Sequence, residues 1–244
     1  MRKIIFILIS LSVLLSANIV IQNVKYEAGI SFYGEVGTIN IRFEQDNNQD
    51  TYKMKVVASS SGLIKKLTRN REDVFISEGI IKDGVYKPNK FIRKIIKDDY
   101  LEKIIYTFDY KNKKIIKNSY KEELVKSSEF DISTMGIVTK KRLIKKVNKK
   151  NIDFCKNDFI SLFLNIRSGN IKNTSPKYID EKDGDNIKLV SKTFFIIDKK
   201  NGKEKYNINI INDGSIFMRE LIAKDIAFYG DAYIKKVSSK TVNL

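Results

Sequence analysis

Beyond its first seventeen residues the chain alternates apolar and polar side chains with a period near two, in segments broken by turn residues. Successive side chains of a strand point to opposite faces, so this pattern predicts antiparallel strands with one dry and one wet side. In GTINIRF, Ile39, Ile41 and Phe43 share one face while Thr38, Asn40 and Arg42 share the other. In TYKMKVVA, Tyr52, Met54, Val56 and Ala58 oppose Lys53 and Lys55. The stretch Asp99 to Tyr120 sets Tyr100, Ile104, Tyr106, Phe108 and Tyr110 on one face, then turns through YKNKKI into a second strand. Further hairpins are predicted at Asn201-Gly202 and Asp213-Gly214. In the strand between those two turns Tyr206, Ile208 and Ile210 alternate with Lys205, Asn207 and Asn209.

Two segments break the rhythm. SGLIKKLTR (Ser61 to Arg69) spaces Leu63, Ile64 and Leu67 as a short helix or helical turn would. NDFISLFLNIRSG (Asn157 to Gly169) sets Phe159, Leu162, Phe163 and Ile166 on one stripe and stops at a glycine. The predicted fold class is therefore all-β and mainly antiparallel, with one or two short helices. Roughly ten strands would leave long unpaired edges in a flat sheet, so a curled sheet or incomplete β-barrel is expected.

The first residues change where this sheet is expected to work. Met1, Arg2 and Lys3 precede an apolar run from Ile4 to Leu15 and then Ser16, Ala17 and Asn18, the layout of a secretory signal peptide. Leu15 stands where the peptidase prefers a small residue, which keeps an uncleaved inner-membrane anchor as the alternative. The expected organisation is a signal peptide over 1–17 and a single β-rich periplasmic domain over 18–244. No linker divides the chain, and Pro88 and Pro176 are its only prolines. The single cysteine, Cys155, has no internal partner, so an exported chain of this kind must stand on its core, and a buried inert thiol is expected.

The formal charge is +17, carried by 46 Lys and Arg against 29 Asp and Glu, which invites an anionic partner. Nearly all the excess is lysine in a chain rich in Ile, Asn, Phe and Tyr, so an A- and T-rich genome accounts for much of it. The densest group is Lys140, Lys141, Arg142, Lys145, Lys146, Lys149 and Lys150, read either as a positive patch or as a solvated linker or helix face.

Chemistry is bounded by one absence: the chain contains no histidine. That removes Ser-His-Asp and Cys-His nucleophiles and the usual zinc and haem sites. Carboxylate pairs remain, Asp98 with Asp99 and Asp183 with Asp185, but they fall in turns where solvated Asp is ordinary. The loop from Asp180 to Asn186 lacks the terminal Glu of a calcium loop. The acceptor pattern at Asn173 is followed closely by Pro176, which disfavours glycosylation. The aromatic residues lie opposite the lysines, not among them, so nucleic acid is not an expected partner. No catalytic residue, metal site or cofactor is predicted.

Several segments in order, YEAGISFYGEVGTINI (Tyr26 to Ile41), ASSSGLIKKL (Ala58 to Leu67), SEGIIKDGVYKPNKF (Ser77 to Phe91), NDFISLFLNIR (Asn157 to Arg167) and AFYGDAYIKKV (Ala227 to Val237), together resemble the exported bacterial proteins called domain of unknown function 3108. The resemblance implies export and a β-rich fold similar to the curled sheets of periplasmic lipoprotein carriers, and brings no activity. The expected function is non-enzymatic: binding a lipid, another hydrophobic ligand or an envelope protein on the concave face. Candidate ligand-binding residues are Tyr52, Met54, Tyr106, Phe108, Tyr110, Tyr206 and Ile208, the competing reading being that these side chains fill a core. The alternative function is a structural or assembly role at the cell envelope through a basic surface.

Overall fold

The computed structural model describes residues 19–131, 135–170, 186–191, 194–198, 205–224 and 230–244. Eight strands come first: β1 (Ile19–Ile30), β2 (Gly34–Asp46), β3 (Thr51–Ser60), β4 (Glu72–Lys82), β5 (Val85–Lys97), β6 (Tyr100–Asp109), β7 (Lys114–Asp131) and β8 (Gly136–Asp153). A short helix, α1 (Gly62–Leu67), links β3 to β4, and α2 (Phe159–Arg167) follows β8. Five more strands follow among the described residues: β9 (Asn186–Ser191), β10 (Phe194–Asp198), β11 (Lys205–Ile211), β12 (Glu220–Lys224) and β13 (Ala232–Asn243).

The thirteen strands form one sheet in the order β8-β7-β6-β5-β4-β3-β2-β1-β13-β12-β11-β10-β9. Each neighbouring pair is antiparallel. The chain thus meanders from β1 out to one edge, resumes at the other edge, and meanders back until β13 pairs with β1. The sheet is curled and open, with β8 and β9 as its edges. The all-β expectation stands, with more strands than the sequence pattern resolved.

Bulges help the sheet bend. The register shifts at Lys25/Tyr26 and Ala28/Gly29 in β1 and at Glu78/Gly79 in β4. At the last of these a Cβ on Gly79 would lie 2.1 Å from the Lys87 carbonyl oxygen, so only glycine fits. The same irregularity admits Pro88, a residue with no amide hydrogen to give, inside a central strand.

The inner face holds the core. Register aligns Phe43, Met54, Ser77, Phe91 and Tyr106 in one row across β2 to β6. All five are buried, and with Val24, Tyr26, Tyr52, Tyr86, Ile104, Phe108 and Ile115 they line the space under α2. Ile160 and Leu164 fill that space from the helix, at 1% and 0% exposure. Burying each such side chain stabilises the fold by roughly 1.5–3 kcal/mol.

Three sequence expectations shift. The helix stripe is rotated from the one expected: Phe159 is 52% exposed, while Ile160, Ser161, Leu162, Leu164 and Asn165 are buried. Two of these are polar, which hid the true face from a hydrophobicity pattern. The Asp213-Gly214 turn is not a tight hairpin, because β11 ends at Ile211 and β12 begins at Glu220. The longer connection lets Phe217 drop into the core at 2% exposure. The lysine-dense segment is neither linker nor helix but the edge strand β8. Charged side chains along an exposed edge discourage pairing with another chain, which gives those lysines a structural reason.

The other hairpins follow the prediction, β6 to β7 through 110–113 and β10 to β11 by their pairing, with Asn201-Gly202 itself outside the described residues. Asp98 and Asp99 accept from Asn70 and Arg69 at 2.7 and 3.0 Å, tying turns together. Asp183, Asp185 and residues 1–17 lie outside the described residues. No helix among the described residues is long and apolar enough to cross a membrane.

Candidate ligand-binding surfaces

The expected ring site sits on the inner face, beneath α2. Tyr52 and Met54 on β3, and Tyr106 and Phe108 on β6, are all buried. Phe91 stacks on Tyr106 with ring centres 5.9 Å apart, and Tyr52 meets Tyr86 edge-on at 5.2 Å. Tyr110 lies just past β6, donates its hydroxyl to the Pro88 carbonyl at 2.9 Å and meets Phe154 edge-on at 5.3 Å. Tyr206 and Ile208 are on β11 by register, and their side chains lie outside the described residues. The structure therefore brings the first five together as packed side chains of one core and its margin.

What holds α2 over them is a buried polar network that the sequence pattern did not reveal. Asp158 caps the helix: its carboxylate accepts from the Ser161 amide at 2.8 Å, and the Ser161 hydroxyl lies 2.9 Å from the Asp158 amide, which donates to it. Such a reciprocal cap satisfies amides at the helix start that have no partner within the helix. The Ser77 hydroxyl donates to the other Asp158 oxygen at 2.7 Å and also meets the Tyr52 hydroxyl at 3.0 Å. Burial pushes the Asp158 carboxyl up to about 6, against the pull of its hydrogen bonds to Ser77 and Ser161. Burial also pushes the Tyr52 phenol well above its ordinary value, with the Asp158 charge adding to it. One turn along, Asn165 accepts from the Tyr86 amide at 2.7 Å and donates to the Tyr86 carbonyl at 2.9 Å, extending β5 onto the helix.

The connection from Ile211 to Glu220 covers a further part of the inner face. Arg167, at the end of α2, donates to the Ile216 and Ser215 carbonyls at 2.9 and 2.8 Å. Lys236 on β13 donates to Asp213 at 2.7 Å and to the Phe217 carbonyl at 2.7 Å. The Lys236 and Ser215 hydrogen bonds hold the Asp213 carboxyl far below the usual carboxylate range. Tyr26 donates its hydroxyl to the Met218 carbonyl at 2.9 Å. Phe217 then lies against Phe43 and Phe163, at 6.0 and 6.5 Å between centres.

The outer face of the same strands is different in kind. A groove of about 340 Å³ crosses β13, β1, β2 and β3. Register lays its floor out as two rows. One runs Lys240, Asn23, Arg42, Lys55 and the other Ser238, Lys25, Asn40, Val57. Arg42 and Lys55 are directly opposed across β2 and β3. Like charges so placed destabilise a sheet, because their side chains start only about 5 Å apart. Glu44 takes the Arg42 Nε. Among the described residues no carboxylate pairs with Lys25, Lys55 or Lys240.

Other candidate chemistry is sparse. Among the described residues no group of His, Cys, Asp and Glu is arranged to hold a metal ion. Cys155 packs half-buried against the core. The groove's cations were legible singly as lysines on polar strand faces. Their convergence was not, because it depends on how four strands, one of them from the far end of the chain, fall into register.

Neither the curated proteins nor the solved structures yielded a match to this chain. A family match does exist, and it is shorter than the segments quoted above, since those from Asn157 and Ala227 onward fall outside it. Residues 23–135, which run from within β1 to the turn before β8, match the family described as Protein of unknown function (DUF3108), the family that the sequence resembles.

Proposed function

We propose that this chain is an exported, non-enzymatic protein of the cell envelope that binds an anionic partner across its outer, lysine-rich face. One observation carries the reading: the described inner face is already occupied by the chain's own rings, α2 and Phe217, while the outer face presents Lys25, Lys55 and Lys240 with no carboxylate partner among the described residues. A lipid on the inner face would have to displace α2 and break the Asp158, Ser77 and Asn165 bonds that hold it. An anionic surface on the outer face displaces only water and counter-ions. The layout of residues 1–17 supports export, and the lack of histidine supports holding a partner over transforming one.

The test is retention of the purified mature chain on isolated envelopes as salt rises from roughly 0.05 to 0.5 M, across which exposed charges become screened. Steep release supports the reading. Retention at high salt, with lipid seen in native mass spectra of the purified protein, overturns it and assigns the ligand to the inner face.

A further inference from the structure

We propose that the groove over β13, β1, β2 and β3 is a specific binding site for an anionic glycan strand, one that carries carboxylate or phosphate groups at intervals along a sugar chain. The inference rests on the reading above and names the site and the ligand within it.

The first argument is the arrangement of charge. Lys240, Arg42 and Lys55 share one row, and Lys25 sits in the next row between Lys240 and Arg42. The row spans three strand spacings, about 14 Å, so its cations cannot all reach one small anion. They suit an extended ligand with several charges. Arg42 and Lys55 are directly opposed and Glu44 engages only Arg42, so Lys55 stands without a carboxylate of its own beside a like charge, and an anion laid over it offsets that remaining cost.

The second argument is what lies between the cations. Asn23 separates Lys240 from Arg42, and Asn40 and Ser238 flank Lys25. Amide and hydroxyl groups both donate and accept, which matches sugar hydroxyls between charged positions. No aromatic side chain lines the groove, so it offers no platform on which a nucleobase would stack. The backbone groups beneath are spent in the sheet, so recognition falls to side chains standing on a stiff floor.

The third argument is the contrast with β8. Its lysines are more numerous in sequence, but they line a sheet edge and have a protective reason to be there. The groove lies in the middle of the sheet, where edge protection explains nothing.

The test uses an oligogalacturonide, with a carboxylate on every sugar, titrated against the mature chain at low salt. Neutral dextran, inorganic phosphate and single-stranded DNA are titrated alongside. Binding to the oligogalacturonide is expected, with roughly tenfold loss in the double variant Arg42→Gln, Lys55→Gln and little change in Lys145→Gln, Lys149→Gln on β8. Circular dichroism checks that each variant folds, and Lys25→Gln, Lys240→Gln serves as the second groove variant. Equal affinity of both groove variants and wild type overturns the groove while leaving the basic-face reading intact. Tighter binding of DNA, or saturation by phosphate alone, overturns the glycan. No binding to any anionic probe overturns both the groove and the reading it rests on.

Discussion

The two faces of β1, β2 and β3 are made from alternate residues of the same three segments, yet they obey different rules. Inward, Val24, Phe43 and Met54 are nearly free of solvent and share one core. Outward, Lys25, Arg42 and Lys55 stand in water, two of them set against each other. The inner face is optimised for packing, where each apolar neighbour supports the next. The outer face keeps two like charges opposed, with Glu44 answering Arg42 and no described carboxylate answering Lys55. A face that leaves cations without described partners is the better place to look for a binding role.

The largest break in that comparison comes from the inner face. Leu164→Ala is expected to cost about 2–5 kcal/mol by urea denaturation, whereas Lys55→Ala should stay within about 0.5 kcal/mol. Similar costs at the two positions would erase the distinction between the faces. Next is the buried carboxyl. Asp158 titrates in the folded chain at about 6, above its ordinary value of 3.8. The folded state therefore holds the proton more tightly, and its contribution is complete below the ordinary value and lost as pH rises through about 6. Between those limits the wild type should lose up to about 3 kcal/mol, and Asp158→Asn should flatten that slope. An unchanged slope in the variant would show that another group sets the pH dependence.

Lys236→Met should cost roughly 1–3 kcal/mol and speed amide hydrogen exchange between 212 and 219, since it removes the donor that ties Asp213 and Phe217 to β13. The smallest effect sharpens the outer face. Lys55→Gln should raise stability at low salt by roughly 0.2–1 kcal/mol, by removing the charge opposed to Arg42. The gain should fade as salt screens the pair.

Much of the fold was legible because strand alternation is local. The faces read from GTINIRF and TYKMKVVA are the faces the structure uses, with Phe43, Tyr52 and Met54 inward and Arg42 and Lys55 outward. The helix after Asn157 was legible as a helix and misread as a surface. Ser161 and Asn165 are buried because Asp158 and the Tyr86 backbone receive them, and hydrophobic spacing carries no sign of such partners. The ring stripe of Asp99 to Tyr120 was visible, but whether it fills a core depends on where α2 lands.

Period, turn chemistry and composition by themselves determined an antiparallel sheet with one greasy face and a surplus of cations, since each is a property of neighbours along the chain. Only the tertiary structure decided that α2 packs over Tyr52, Met54, Tyr106 and Phe108 and that Lys240 joins Asn23, Arg42 and Lys55 in one row. Those outcomes rest on pairing between β1 and β13, segments more than two hundred residues apart, and such register is set by the packing of the whole sheet.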